Sequence, residues 1–162
     1  MITQEILKER FEYRDGELYW KIKTSNIKIG DMVGHKQSTG YTRASVKGKF
    51  YLSHRLIFLM FHGYLPKFID HIDNNSSNNK IENLREATKS QNGCNQKISV
   101  ANTSGVKGII WFKRNKKWGV QLNINGRNKY FGLYHDIKVA KFIAETMRYK
   151  YHGAFANHGG VE

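Results

Sequence analysis

Over the first fifty positions apolar and polar residues alternate in short stretches, GELYWKI at 16–22 and TRASVKGKFYL at 42–52, separated by the glycine-rich IGDMVGHKQSTGY. Period-two alternation predicts strands. Asp15-Gly16 and Lys47-Gly48 are hairpin-type turns, and Gly30, Gly34 and Gly40 punctuate the rest, so residues 1 to about 53 read as a small antiparallel sheet. The period then lengthens. SHRLIFLMFHGYLP, from Ser53, reads as a short apolar helix with Ser53 as its N-cap, Gly63 near its end and Pro66 closing it. Beyond it, IDHIDNNSSNNKIENLREATKSQN offers Ile69, Ile72 and Ile81 as apolar anchors around an asparagine-rich loop. Strand, loop, short strand and helix are expected there, with Thr88 as the helix cap and Asn92 on its first turns.

Residues 93 to about 103 are small and polar, as in a linker. After them VKGIIWFKRNKKWGVQLNINGRNKYFGLY gives two β-rich runs around Arg114-Asn115-Lys116 and a third after Asn125-Gly126. Asp136 caps a helix in which Val139, Ala140, Ile143, Ala144 and Met147 recur at helical spacing and which Gly153 ends. The pattern is α+β: an N-terminal sheet and central module over 1–96, a linker at 97–103, and over 104–158 a three-stranded antiparallel sheet packed on one helix.

Charge narrows the partner. The chain has 162 residues, with 27 Lys and Arg against 13 Asp and Glu, a formal net charge of +14. Such a field attracts polyanions, and nucleic acid is the first candidate. Eleven basic residues and two acidic ones fall between Ala101 and Gly153. No apolar run approaches the roughly 20 residues of a membrane span, and no signal-like segment opens the sequence. Cys94 is the single cysteine, so no internal disulfide or multi-cysteine zinc site is expected, and a reducing, intracellular setting follows.

An acidic, amide-rich stretch in the middle of so basic a chain calls for a chemical reason. Hydrolysis of a phosphodiester needs a base for the attacking water and a cation for the charge that builds on oxygen. Imidazole is the side chain that suits a base at neutral pH, and His71 is the candidate. Asp70 supplies a hard oxygen ligand and the amide oxygen of Asn92 a second, a set that suits magnesium (or manganese) better than zinc. Neighbouring side chains on a strand point to opposite faces, so Asp70 and His71 share a site only if the strand bends or ends there.

Asp70-His71, Asn83 within IENLR and Asn92 within KSQN resemble the His-Asn-His (HNH) nuclease motif, in the variant that ends in Asn. The likeness extends to the upstream His54-Arg55 and covers about 40 residues, as in the phage and intron-encoded homing endonucleases. That resemblance implies a ββα-metal nuclease fold with His71 as general base, Asp70 and Asn92 on one divalent metal, and Asn83 fixing the loop. Asn74 stands where the family usually has Gly, and it too tolerates a left-handed turn.

The C-terminal stretch, through Gly105-Val106, Trp118, Tyr130-Phe131-Gly132 and Tyr151-His152-Gly153, is similar to the DNA-binding domain of plant ethylene-response factors. That resemblance implies a sheet lying in the DNA major groove, with Lys107, Trp111, Lys113, Arg114, Trp118, Gln121, Arg127 and Tyr130 as contacts. Strand alternation allows only some of them to face DNA. Double-stranded DNA is the expected partner of a monomer with no evident protein partner. The alternative is a DNA-binding regulator whose nuclease motif is inactive. His54 braces the site or simply packs, and His35, His62, His135, His152 and His158 lack metal-ligand spacing.

Overall fold

A helix precedes the first strand. In the computed structural model, which describes residues 2–24 and 26–159, Thr3 caps α1 (Gln4–Arg10) by accepting from the Ile6 N–H, and Leu7 is fully buried. The reading of this segment as sheet is therefore corrected. Seven residues with one buried Leu are too few to display a helical period, and the capping threonine and packing against α2 (Ser53–His62) decide the matter.

The chain divides into two compact units, Met1–Ala87 and Thr88–Glu162. In the first, β1 (Phe11–Arg14) and β2 (Glu17–Trp20) pair antiparallel across Asp15-Gly16, both with positive φ (47° and 94°) as the tight turn demands. A separate sheet orders β3 (His35–Lys36), β4 (Thr42–Val46) and β5 (Lys49–Leu52), with Lys47-Gly48 as the second such turn. The single expected N-terminal sheet is thus two.

Helix α2 buries Leu56, Ile57, Phe58, Leu59 and Met60 against Leu7, Phe11, Leu18, Trp20 and Val33. Each fully buried Leu or Phe contributes about 1.5–3 kcal/mol, so this cluster holds the unit together. The N-cap is Leu52 rather than Ser53, whose hydroxyl is buried without a partner, and Gly63 closes the helix in the left-handed region. Next, β6 (Phe68–His71) pairs antiparallel with β7 (Leu84–Ala87), Asp70 opposite Arg85 and His71 opposite Leu84. Ile69 and Ile81 reach the core as expected. Ile72 does not: the strand ends at His71, and the side chain is 44% exposed.

In the second unit, Thr88 and Gln91 form a capping box on α3 (Lys89–Asn95). Strands β8 (Ile109–Phe112), β9 (Lys117–Ile124) and β10 (Arg127–Tyr134) make a sheet ordered β10-β9-β8, with Asn125-Gly126 at the tight turn. Helix α4 (Ile137–His152), capped by the Asp136 carboxylate on the Lys138 N–H, packs Ala140, Ala144 and Ile143 on Ile109, Val120 and Trp118. Its buried face continues to Arg148, and Val139 points outward instead.

Candidate active site

Strand β6 stops where the chemistry requires it to. Asp70 and His71 are its last two residues, both buried, and alternation sends them to different partners. Asp70 Oδ2 accepts from Arg85 Nε at 2.8 Å and pairs with Arg85 Nη2 at 2.7 Å, across the strand pair from it. The His71 ring stands edge-on to His54, centroids 5.0 Å apart, with Tyr41 at 6.0 Å. His71 Nε2 lies 3.0 Å from Asn79 Oδ1. An amide oxygen only accepts, so the ring donates from Nε2 and its basic nitrogen is Nδ1.

The loop between β6 and β7 is built by its own side chains. Asn83 Nδ2 donates to Asp73 Oδ1 (2.9 Å) and to the Asn78 carbonyl (2.7 Å), and Asn83 Oδ1 accepts from the Asp73 N–H (3.1 Å). Asp73 also accepts from the Asn75 N–H and from Asn78 Nδ2. Burial raises the Asp73 carboxyl, but these donors outweigh it and hold the group below the usual carboxylate range. Asn74 adopts φ 59°, the left-handed turn expected of it. Outside the loop, Ser76 and Ser77 hydroxyls donate to the Thr39 and Gly40 carbonyls, Tyr13 accepts from the Ile81 N–H, and Lys80 pairs with Asp15. Gly40 is required at that contact, because a Cβ there would lie 2.5 Å from Ser76 Oγ.

Two further residues prepare this corner. His54 is buried, and burial first, then the fields of His71 and Arg55, push its pKa down to about 3, so it is a neutral ring at physiological pH. Arg55 donates to the carbonyls of Pro66 (3.1 Å) and Lys67 (3.4 Å), tying α2 to the segment that enters β6. Sequence reasoning missed Asn79 and Arg85 as site residues. Arg85 lies inside the IENLR motif, and its tie to Asp70 depends on strand register.

The HNH endonuclease family profile matches residues 51–94, from the end of β5 through α3. The chain is 38% identical over 96 residues to Protein 3.8 of Escherichia phage T7, a match covering 58% of this chain and 78% of that protein. The chain belongs to the HNH endonucleases. An uncharacterized HNH endonuclease, L560, of Acanthamoeba polyphaga mimivirus is 38% identical over 103 residues, 62% of this chain and 49% of that protein. No solved structure matches. As an HNH nuclease the protein acts on DNA, and no helix among its described residues is long and apolar enough to cross a membrane.

Of the HNH residues, Asp70, His71 and Asn83 come together in the first unit, and Asn92 lies half-buried on α3 in the second. No trio of His, Cys, Asp and Glu gathers as a metal cluster among the described residues. The Asp70 carboxylate is a hard oxygen donor, the kind of ligand that a divalent cation such as magnesium takes.

In the C-terminal sheet of this HNH protein, register sorts the expected DNA contacts. Ile109 and Val120, both in the core, pair across β8 and β9, and so do Trp111 and Trp118 two residues along, which puts both indoles on the helix side. Their centroids are 4.7 Å apart; Trp118 packs on the core and Trp111 is 39% exposed. By the same alternation Arg127 lies on the helix side, whereas Gln121 and Tyr130, paired across β9 and β10, share the open face. Lys113 and Arg114 are exposed in the β8–β9 turn. Lys107 is half-buried, its ammonium donating to the Cys94 and Gln96 carbonyls. The open face also holds Ile110 and Phe112, which the sequence reading passed over although they alternate with the core residue Ile109. The Phe112 ring lies over Gly119, where a Cβ would be 2.2 Å away, and stands T-shaped to Tyr130 at 6.3 Å.

Proposed function

We propose that the protein is a metal-dependent endonuclease that hydrolyses phosphodiester bonds in duplex DNA. The observation that carries this reading is His71: a buried imidazole at the end of β6, held at Nε2 by Asn79 so that Nδ1 is the base. In the reaction His71 takes a proton from the attacking water, a role worth roughly 10²–10⁴-fold in rate. Asp70 and Asn92 hold magnesium or manganese, which when bound supplies positive charge for the phosphoryl and leaving oxygens. Asn83 keeps the loop closed around Asp73, and Arg85 fixes the Asp70 carboxylate.

Residues 1–96 on this reading form the nuclease part and 104–158 the DNA-binding part. The open face of β8, β9 and β10 enters the major groove, which admits a β-ribbon, with Gln121 and Tyr130 toward the bases and Lys113 and Arg114 on phosphates. Trp111, Trp118 and Arg127 lie on the helix side of the sheet and Lys107 is held by the Cys94 and Gln96 carbonyls, so on this reading these four support the sheet and do not enter the groove. The dense positive charge between Ala101 and Gly153 supports this division. One copy carries one cutting motif, so a monomer nicks, and a double-strand break takes a second copy or a second event. Supercoiled plasmid incubated with magnesium tests the reading: nicked circles that disappear when a chelator is added are expected. Intact plasmid with every divalent ion tried rejects it.

A further inference from the structure

The second unit contains a cavity of about 710 Å³, within the usual ligand-pocket range of roughly 300–1,000 Å³. Lys89, Lys107, Arg148 and His152 contribute to its wall, Leu122 gives it an apolar side, and among the described residues no carboxylate lines it. Arg148 is fully buried. Its Nη1 donates to the Lys107 carbonyl and its Nε to His158 Nδ1 at 3.4 Å, but Nη2 has no partner, and among the described residues no salt bridge reaches it. Glu145, the acid whose field acts on Arg148, faces Lys141 at 3.9 Å. A guanidinium stays protonated, so among the described residues a buried cation stands without an ion-pair partner.

His152 follows Arg148 by one helical turn and shares its face of α4. Its Nε2 lies 3.0 Å from the Asn123 carbonyl and must donate there, which makes Nδ1 an acceptor, and Nδ1 too is buried without a partner. Burial first, and Arg148 second, lower the pKa of the Lys107 ammonium, as expected of cations gathered with no anion between them. The cavity wall and the buried groups beside it thus hold, among the described residues, an unmatched donor, an unmatched acceptor and an excess of positive charge. An anion that also carries a hydroxyl answers all three.

We propose that this cavity is a binding site for a phosphate-bearing ligand, with Arg148 Nη2 donating to a phosphate oxygen and His152 Nδ1 accepting from a hydroxyl of the ligand. The residues that line the cavity all belong to the second unit, and the proposal does not rest on the nuclease reading. Its ligand has two sources, a free phosphate ester or a backbone phosphate of bound DNA, and the test distinguishes them. Full-length protein is melted with inorganic phosphate and with sodium chloride at equal ionic strength. Phosphate should raise Tm by about 5 °C over chloride, saturably, as a ligand does that binds only the folded state. Two variants should lose that shift: Arg148→Met, which removes the cation, and Gly93→Leu, which fills the cavity from its wall. Gly93 has open space around it, with nothing within 4 Å of the point where a Cβ would stand, so the second variant remains informative if the first does not fold. Phosphate that weakens duplex binding several-fold beyond matched chloride, in the parent and not in Gly93→Leu, assigns the site to the DNA backbone. Unchanged duplex binding alongside the Tm shift assigns it to a free ester. No excess of phosphate over chloride, or the same excess in both variants, overturns the proposal.

Discussion

Asn79 Oδ1 accepts a hydrogen bond from His71 Nε2 at 3.0 Å across the loop that separates β6 from β7. The bond selects the ring tautomer, leaving Nδ1 as the nitrogen able to take a proton. Asn79→Ala removes that selection and takes the acceptor away from a buried donor, a loss of about 1–3 kcal/mol. Cleavage should fall about ten- to a hundredfold with duplex affinity unchanged, as single-turnover kinetics alongside a binding titration will measure.

Arg85 is the partner of a buried carboxylate. Arg85→Ala removes the counter-charge of Asp70 and should cost about 3–5 kcal/mol of stability in urea unfolding. The double variant Asp70→Asn with Arg85→Met, which removes both charges, should be the more stable of the two. Equal losses would mean that the pair is not coupled.

His54 sets an acid limit. Its folded pKa, about 3, lies below the roughly 6.5 of an unfolded histidine, so the unfolded chain binds the extra proton between those values. The stability tied to its neutral state is complete above about pH 6.5 and is lost as pH falls toward 3. Asp73, also lowered, acts with the same sign at the acid end. Urea midpoints measured in chelator from pH 7 to pH 4 should fall in the parent and fall less in His54→Phe.

The two faces of the C-terminal sheet should separate under mutation. Lys113→Ala and Arg114→Ala should each weaken duplex binding and reduce the salt slope by about one. Tyr130→Ala, on the open face, should lower affinity without unfolding. Trp118→Ala, on the helix side, should instead cost about 3 kcal/mol of stability.

Much of this was legible because turns announce themselves. Asp15-Gly16, Lys47-Gly48 and Asn125-Gly126 all take positive φ at both residues, a demand few residue pairs meet, so three hairpins could be placed from sequence. The caps at Thr88 and Asp136 were equally plain. Helix α1 was not, since its seven residues are stabilised by packing against a helix some fifty positions away. Asp70, His71 and Asn83 were readable as a spaced motif of residues with distinctive chemistry. Asn79 stood among five other loop residues of the same polar kind, and only closure of the loop shows which amide reaches the imidazole. Arg85 required the register of β6 against β7. The sides taken by Trp111 and Trp118 were in principle countable, since both share parity with core residues on their strands.

On the proposed function, His71 is the base that cuts while the C-terminal sheet holds the DNA. The direct measurement is His71→Ala assayed side by side for nicking of supercoiled plasmid in magnesium and for duplex affinity in chelator. Nicking should fall by roughly 10²–10⁴-fold with Kd within a factor of about two of the parent. A variant that still nicks at the parental rate contradicts the claim.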